Sequence, residues 1–251
     1  MKHSRPESSS ATDMTTPPSK RACTDHKRRQ PSSHAGSSRS IGSSSNLSDP
    51  ARQISENVDN PVDFLQALFS LDASTKTWML QQQQKNEEYA FSKPSPEVLN
   101  NFDLEIVKAV REGSLPRVRQ MLQEGRTFDA CNRFGESLIH MACRRGDTEL
   151  VAFLLDEAGV QVDVCDDFGR RPLHDALWTS KPSLELVALL LARIPPSMLL
   201  AQDVRGHTPF HYARKAHWSI WVAFLREHAT SLLRRVNIAQ ALHVVKGHTT
   251  E

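Results

Sequence analysis

Apolar residues recur at helical spacing in three stretches of the second half of the chain. In each stretch a valine is followed three residues later by a leucine, and in two of them a second leucine comes next. Positions i, i+3 and i+4 share one face of a helix, so each stretch predicts an amphipathic helix that buries this face. The members are Val151, Leu154 and Leu155; Val187, Leu190 and Leu191; and Val222 and Leu225.

One nine-residue phrase precedes each of these helices. Each copy contains a glycine that is followed five positions later by a histidine. The copies occupy residues 132–140, 166–174 and 203–211. Gly135, Gly169 and Gly206 are separated by 34 and 37 positions. Self-similarity at this period is typical of stacked repeats, in which no single unit can bury its apolar face alone, so we expect a cooperative array.

Elementary chemistry accounts for the parts of the phrase. Its glycine suits a turn with positive φ, where a side chain would clash. Thr208 can accept hydrogen bonds from free N–H groups at a helix start, and Pro209 loses no hydrogen bond at the first helical position. Ala142, Ala176 and Ala213 follow the histidines and allow the first helix of each pair to approach its neighbour closely.

The phrase resembles the core of the ankyrin repeat, an acidic turn followed by Gly, Thr-Pro-Leu-His and alanines. Ser137-Leu138 and Arg171-Pro172 stand where the third copy has Thr-Pro. The resemblance implies an all-α fold: an ankyrin-repeat α-solenoid of about four helix-turn-helix repeats with β-turn or hairpin tips, preceded by a disordered N-terminal tail. The repeats would lie at about 103–130, 131–164, 165–201 and 202–228. The first lacks the phrase, as expected of a terminal capping repeat.

The third repeat is longer than the second. Its additional residues predict a lengthened loop at Thr179–Ser183 and a disturbed exit at Pro195-Pro196. Both sites carry residues that are common in turns and loops.

Helices are also predicted outside the array. Residues 57–102 form a helical segment with a short amphipathic helix at 61–71, expected to cover the exposed side of the first repeat. A polar helix at 74–89 follows it. Residues 229–251 are assigned to a C-terminal helix and tail, with the closing helix at 230–245.

Residues 1–56 are rich in Ser, Pro and basic side chains. Too little apolar surface can be buried there to offset the entropy of ordering, so we predict a disordered tail. It carries nine Lys/Arg and five Asp/Glu, a net charge of +4 against +2 for the whole chain. Two basic clusters are candidate nuclear import signals, and a solvated tail with no receptor is the alternative. The clusters consist of Lys20, Arg21, Lys27, Arg28 and Arg29.

Eleven histidines and four cysteines raise the question of a metal or catalytic site. His140, His174 and His211 hold equivalent positions in repeats whose helices lie about 8–10 Å apart, whereas two nitrogens on one zinc ion lie within about 4 Å. The rings therefore cannot share an ion, and the resemblance assigns them to hydrogen bonds between turn and helix. The sequence has no GxSxG, phosphate-binding loop or Gly-rich dinucleotide motif. We expect no enzymatic activity, metal or cofactor.

The resemblance places partner binding on the concave face, at the turn tips and the exposed side of the first helices. Phe134 and Phe168 are aromatic at matching tip positions, which is typical of binding hot spots. Six basic and two acidic residues at these positions predict an acidic or phosphorylated protein partner. Alternatively, both rings pack between neighbouring turns and the arginines are solvated. The positions are Arg133, Phe134, Glu136, Arg144, Arg145, Asp167, Phe168, Arg170, Trp178, Val204, Arg205, His207 and Lys215.

The expected function is therefore that of a non-enzymatic adaptor or scaffold that binds protein. The second hypothesis is a nuclear regulator whose basic tail contacts nucleic acid, which would show steeply salt-dependent binding. The chain lacks basic residues interleaved with stacking aromatics, so nucleic acid is the less favoured partner.

Cellular location is predicted from the cysteines and from the start of the chain. Four cysteines without a CxxC pair are typical of a reducing compartment, and no apolar leader follows Met1. The longest apolar run near the array, Leu186–Ala192, is far shorter than the ~18 residues of a membrane span. We expect a soluble intracellular protein, cytoplasmic or nuclear, without membrane contact.

Overall fold

Short helices joined by tight connections make up the array. The computed structural model describes residues 49–88 and 93–247. Its α-helices are α1 (Pro50–Gln53), α2 (Pro61–Phe69), α3 (Ala73–Glu88), α4 (Pro96–Asn100), α5 (Leu104–Glu112), α6 (Leu115–Gln123), α7 (Leu138–Arg145), α8 (Thr148–Asp156), α9 (Pro172–Leu177), α10 (Leu184–Arg193) and α11 (Trp218–Gly247). Short 3-10 turns lie at Pro196–Leu200, Pro209–Tyr212 and Lys215–His217.

Polar caps and glycines set the bounds of the helices. At the start of α5, Asp103 Oδ1 accepts hydrogen bonds from the backbone N–H groups of Glu105 and Ile106 at 2.9 and 3.0 Å. Gly113 and Gly146 follow α5 and α7 with φ values of 67° and 76°, a conformation that favours glycine. Each glycine therefore ends the first helix of its pair and leaves a two-residue connection to the second.

The first helices stack in chain order. α5 packs against α7, α7 against α9, and α9 against the turn at Pro209–Tyr212, while α8 and α10 pack together in the second layer. Ala142, Ala176 and Ala213 are buried, as predicted from their position after the histidines. The predicted all-α repeat array is confirmed, and the loop at 178–183 and the turn at Pro196–Leu200 interrupt it where the third repeat was predicted to be irregular.

The last repeat differs from the predicted helix pair followed by a separate closing helix. Its first helix is the short turn at Pro209–Tyr212, and its second is α11, 30 residues long. No glycine or proline occurs between Trp218 and Lys246, so nothing ends the helix near residue 229. Its buried face also continues past that point through Leu232 and Val236. Within the described ranges, no helix is both long and apolar enough to span a membrane.

Helices α2 and α3 cover the C-terminal end of the array, and the predicted position of the helix at 61–71 on the first repeat is wrong. α2 packs against α11 and against the turn of the last repeat, and α3 packs against α11 and the turn that follows α10. Phe64, Leu65 and Leu68 of α2 are buried. Within the described residues no further repeat packs on the last one, and α2 packs there in its place.

Residues 49–56, which were assigned to the disordered tail, contain α1. Ala51 and Ile54 are buried, and the Arg226 guanidinium of α11 donates to the carbonyl oxygens of Ala51 and Ile54 at 2.7 and 3.4 Å. The helical structure therefore begins before the predicted boundary. The remainder of the predicted tail, residues 1–48, lies outside the described residues, as does Tyr89.

Candidate functional site

The three phrase copies form turns of the same geometry. Gly135, Gly169 and Gly206 have φ values of 75°, 74° and 77°. Each glycine N–H donates, at 2.9 Å, to the carbonyl of the residue three positions before it. That residue is Asn132 or Asp166 in the first two turns, and its side-chain oxygen accepts hydrogen bonds from two backbone N–H groups of the turn. The turn geometry is therefore encoded within each phrase.

Backbone hydrogen bonds join each turn to the next. Asp167 N–H donates to the Phe134 carbonyl, and Val204 N–H donates to the Phe168 carbonyl, both at 2.9 Å. Phe134 and Phe168 thus occupy the same place in successive turns. We call one surface the tip face: it is formed by residues 132–136, 166–170 and 203–207, the exposed side of α7 and α9, and Trp178 directly after α9.

Close stacking of the turns leads to a prediction at Gly135. A Cβ atom at this position would lie 3.1 Å from Asp166 Cα and 3.1 Å from the Cys165 carbonyl oxygen, and backbone atoms cannot move aside cheaply. We expect Gly135→Ala to lower the free energy of unfolding by about 2–3 kcal/mol, from positive φ and from the contact together. Urea unfolding followed by circular dichroism measures the change.

Gly159→Ala is the matched control for Gly135→Ala. Gly159 also has a positive φ, 68°, but a Cβ there would meet nothing within 4 Å. Gly159→Ala should therefore lower the free energy of unfolding by about 1 kcal/mol, from backbone strain alone. Equal losses in the two variants would show that the turns are less tightly stacked than described.

The repeated histidines have the structural role that the resemblance assigned to them. His140 Nδ1 accepts from the Ser137 N–H at 3.2 Å, and His174 Nδ1 accepts from the Arg171 N–H at 3.0 Å. With Nδ1 as acceptor, Nε2 carries the proton and donates to a carbonyl of the following turn, Arg170 at 3.0 Å for His140. Both rings are buried, and burial lowers their pKa, to about 4 for His174. They are neutral links between repeats.

The third histidine, His211, makes only half of this connection. Its Nδ1 accepts from the Thr208 N–H at 3.0 Å, but among the described residues no further turn accepts from its Nε2. Its ring is exposed and stacks on His207 at 5.4 Å between ring centroids. The three imidazoles lie in the first helices of three successive repeats. Within the described part of the chain, no group of three or more His, Cys, Asp or Glu residues is arranged to hold a metal ion.

Three half-exposed aromatic rings stand on the tip face. Phe134, Phe168 and Trp178 are 47%, 48% and 47% exposed, so neither phenylalanine is enclosed between neighbouring turns. An arginine side chain lies over each ring, which partly covers its apolar surface and holds the ring in place. The distances from guanidinium carbon to ring centroid are 4.6 Å for Arg133 and Phe134, 5.2 Å for Arg170 and Phe168, and 5.8 Å for Arg144 and Trp178.

The predicted basic positions divide into paired and unpaired ones. Arg170 pairs with the buried Asp166 at 2.5 Å, and Arg145 lies 3.4 Å from Asp147. Arg144 is paired twice, with Asp175 and with Glu136. Among the described residues, no ion pair is formed by the other three basic positions, Arg133, Arg205 and Lys215. The positive charge available to a partner is therefore smaller than the sequence suggested.

Asp175 is a charged residue of this region that the binding prediction missed. Its Oδ1 lies 3.0 Å from Arg144, which also lies 2.8 Å from Glu136. Asp175 is 1% exposed, and burial raises the pKa of its carboxyl. Its role is to hold Arg144 in position across two repeats.

Tyr212 was also missed. Its ring lies 5.9 Å from Trp178 and 6.2 Å from His207, which makes one aromatic cluster at the end of the tip face. The Tyr212 hydroxyl donates to Asp203 at 2.5 Å, and burial together with this bond raises the pKa of Tyr212 to about 12. Its place directly after the repeated histidine could have identified it, because Met141 and Asp175 hold the same place in their repeats.

The remaining predicted binding positions are also at the surface or close to it. Val204 is 54% exposed, and Asp167, in the preceding turn, is also exposed. Lys215 lies over the Trp218 ring at 5.8 Å, near the start of α11. The candidate import signals Lys20, Arg21, Lys27, Arg28 and Arg29 lie outside the described residues.

The stacked turns and the linking histidines together define an array of ankyrin repeats. Comparison with known families agrees, because residues 106–198 match the model described as ankyrin repeats (3 copies). Ankyrin repeats bind protein partners, so this part of the chain is a protein–protein interaction module.

Several curated proteins resemble parts of the chain. Tyrosine-protein kinase Shark of Drosophila melanogaster is 35% identical over 91 residues, 36% of this chain and 9% of that protein. E3 ubiquitin-protein ligase KEG of Arabidopsis thaliana is 38% identical over 77 residues, which are 31% of this chain and 4% of that protein. SMC5-SMC6 complex localization factor protein 1 of Homo sapiens is 33% identical over 111 residues, which are 44% of this chain and 10% of that protein. The chain thus spans a tenth or less of the length of these relatives.

Proposed function

We propose that the chain is a non-enzymatic adaptor that binds a protein partner through the concave face and turn tips of its ankyrin array. The observation that carries this proposal is the row of half-exposed rings, Phe134, Phe168 and Trp178, on equivalent or adjoining elements. Exposed aromatic side chains on a rigid backbone lose little conformational entropy on binding and contribute much apolar area. The hydrogen-bonded turns supply that rigid backbone.

Charge favours an acidic or phosphorylated segment as the partner. Arg133, Arg205 and Lys215 are exposed and unpaired within the described ranges, so they can pair with acidic groups without first breaking an internal ion pair. Arg144 and Arg170 are already paired, and they act by covering aromatic rings. An acidic side chain close to an apolar one in the partner would complement both features.

The double variant Phe134→Ala with Phe168→Ala tests this proposal. Loss of two hot-spot rings should weaken partner capture by more than about tenfold. The assay is quantitative affinity capture from cell extract with the full chain. A parallel capture without residues 1–48 separates the contribution of the tail, and α1 is retained because it is part of the fold.

The matched control is Ile238→Ala with Leu242→Ala. These side chains are 51% and 57% exposed, but they lie on α11, outside the tip face. Capture should be unchanged in this variant, and both variants should unfold at nearly the wild-type urea concentration. Equal capture by the wild-type chain and the phenylalanine variant would refute the proposal.

A further inference from the structure

An open cavity lies beside the tip face, between the C-terminal end of α7 and the lengthened loop that leads into α10. Its volume is about 570 Å³. Three of its lining residues are basic (Arg144, Arg145 and Lys181), and one, Glu185, is acidic. Thr179, Ser180 and Ser183 add hydroxyl groups to the lining. The cavity adjoins Trp178, which directly precedes Thr179 in the chain.

The loop that closes the cavity has a defined conformation. The buried Thr179 hydroxyl donates to the Lys181 carbonyl at 2.7 Å, which folds the loop back on itself. At its other end, Ser183 Oγ accepts from the Leu186 N–H at 3.4 Å and caps α10. The two bonds fix the backbone of the loop at Lys181 and at Ser183. The site therefore comes from the insertion in the third repeat.

The carboxylates that balance the arginines do not line the cavity. Arg144 is 39% exposed, whereas its partners Asp175 and Glu136 are 1% and 21% exposed. Arg145 is 45% exposed and its partner Asp147 is 24% exposed. These three carboxylates are therefore not part of the lining, whereas both arginines are. The Arg145 guanidinium is held on the side of α5, where it donates to the Arg111 carbonyl at 2.6 Å.

Lys181 adds a charge that nothing internal neutralises. It is exposed and forms no ion pair with any described residue. An ammonium group on a flexible stem can donate to an anionic group, and the two guanidinium groups nearby add positive charge. A neutral or basic ligand would leave the charge of Lys181 unmatched.

We propose that this cavity binds an anionic side chain of the protein partner, a carboxylate or a phosphate monoester. The inference rests on the proposed function and deepens it, because it assigns one specificity site for the acidic or phosphorylated group. Trp178 would contact the residue next to that group. Lys181 is the donor, and the paired Arg144 and Arg145 supply fixed positive charge.

Nuclear magnetic resonance titration of the full-length protein with inorganic phosphate, and separately with acetate, tests the site. Chloride keeps the ionic strength constant. We expect saturable shifts in the backbone amide signals of Ser180, Lys181 and Ser183. In Lys181→Gln the apparent affinity should fall about three- to fivefold, as expected for one half-exposed charge pair. The matched control Lys108→Gln, an exposed lysine on α5, should leave the affinity unchanged.

The two anions distinguish the possible sources of the group. Saturable shifts with phosphate alone would indicate that the cavity binds a phosphorylated residue of the partner. Saturable shifts with acetate would indicate that it binds an Asp or Glu side chain. Non-saturating shifts, or the same affinity in Lys181→Gln and wild type, would overturn the proposal. This result would be independent of the phenylalanine test, because partner capture can depend on Phe134 and Phe168 even if the cavity binds no anion.

Discussion

Replacing Phe64 by alanine should lower the free energy of unfolding of the array by about 3–5 kcal/mol. Phe64 lies on α2 and is completely buried, with the Arg226 guanidinium of α11 5.1 Å from its ring centroid. Its removal would leave a cavity between the N-terminal helices and the last repeat. Since small domains are stable by only about 5–15 kcal/mol, such a loss is a large fraction of the total. Urea unfolding followed by circular dichroism at 222 nm measures it.

Phe168→Ala makes the same chemical change at a half-exposed position. It should lower the free energy of unfolding by less than about 1 kcal/mol, because little buried area is lost. If Phe64→Ala lowered the free energy of unfolding as little as Phe168→Ala does, α2 would not belong to the folded unit. The pair of variants thus distinguishes the contribution of α2 to stability from that of the tip face.

Mild acid should destabilise the array through its buried histidines. Burial lowers the pKa of His174 to about 4, whereas an exposed histidine titrates near 6.5. Above pH 6.5 the residue is neutral in both states and stability is unaffected. As pH falls from 6.5 to 4, the unfolded chain takes up a proton at this position and the folded chain does not. The free energy of unfolding should then fall by about 3 kcal/mol from this residue.

His174→Gln should flatten this pH dependence by the stated amount, although the variant is less stable at pH 7. Urea unfolding at several pH values between 7 and 4 measures the slope in each protein. His140 contributes in the same direction, and Asp175, with its raised pKa, contributes in the opposite one. Both remain in the variant. His211→Gln, at the exposed equivalent position, should change the slope much less. An unaltered slope in His174→Gln would contradict a neutral buried ring.

The turns could be predicted because their stabilising bonds are local. Asn132 bonds to groups two and four residues away, and His140 to a residue three away. A nine-residue phrase therefore contains most of the hydrogen bonds that stabilise its turn, and its repetition makes the turn recognisable in the sequence. The course of α11 was equally local, since the chain has no helix breaker between Trp218 and Lys246. The predicted break near residue 229 was based on the expected bounds of an ankyrin repeat and not on the residues of that segment.

The candidate site was predicted less completely. The matching positions of Phe134 and Phe168 follow from their place in the phrase, and so does the ion pair between Arg170 and Asp166, which lie in one turn. Arg144 and Asp175 are 31 residues apart and meet only because α7 packs against α9. Spacing along the chain carries no information about that pair, so the charge left for a partner could not be counted beforehand.

By itself, the sequence determined the turns, the helix faces and the order of the repeats, because hydrogen bonds over a few residues and apolar periodicity decide them. Tertiary structure alone decided that α2 covers the last repeat and that Asp175 lies behind Arg144. An amphipathic helix can bury its apolar face against any apolar surface, and the choice depends on which surface the finished stack leaves uncovered.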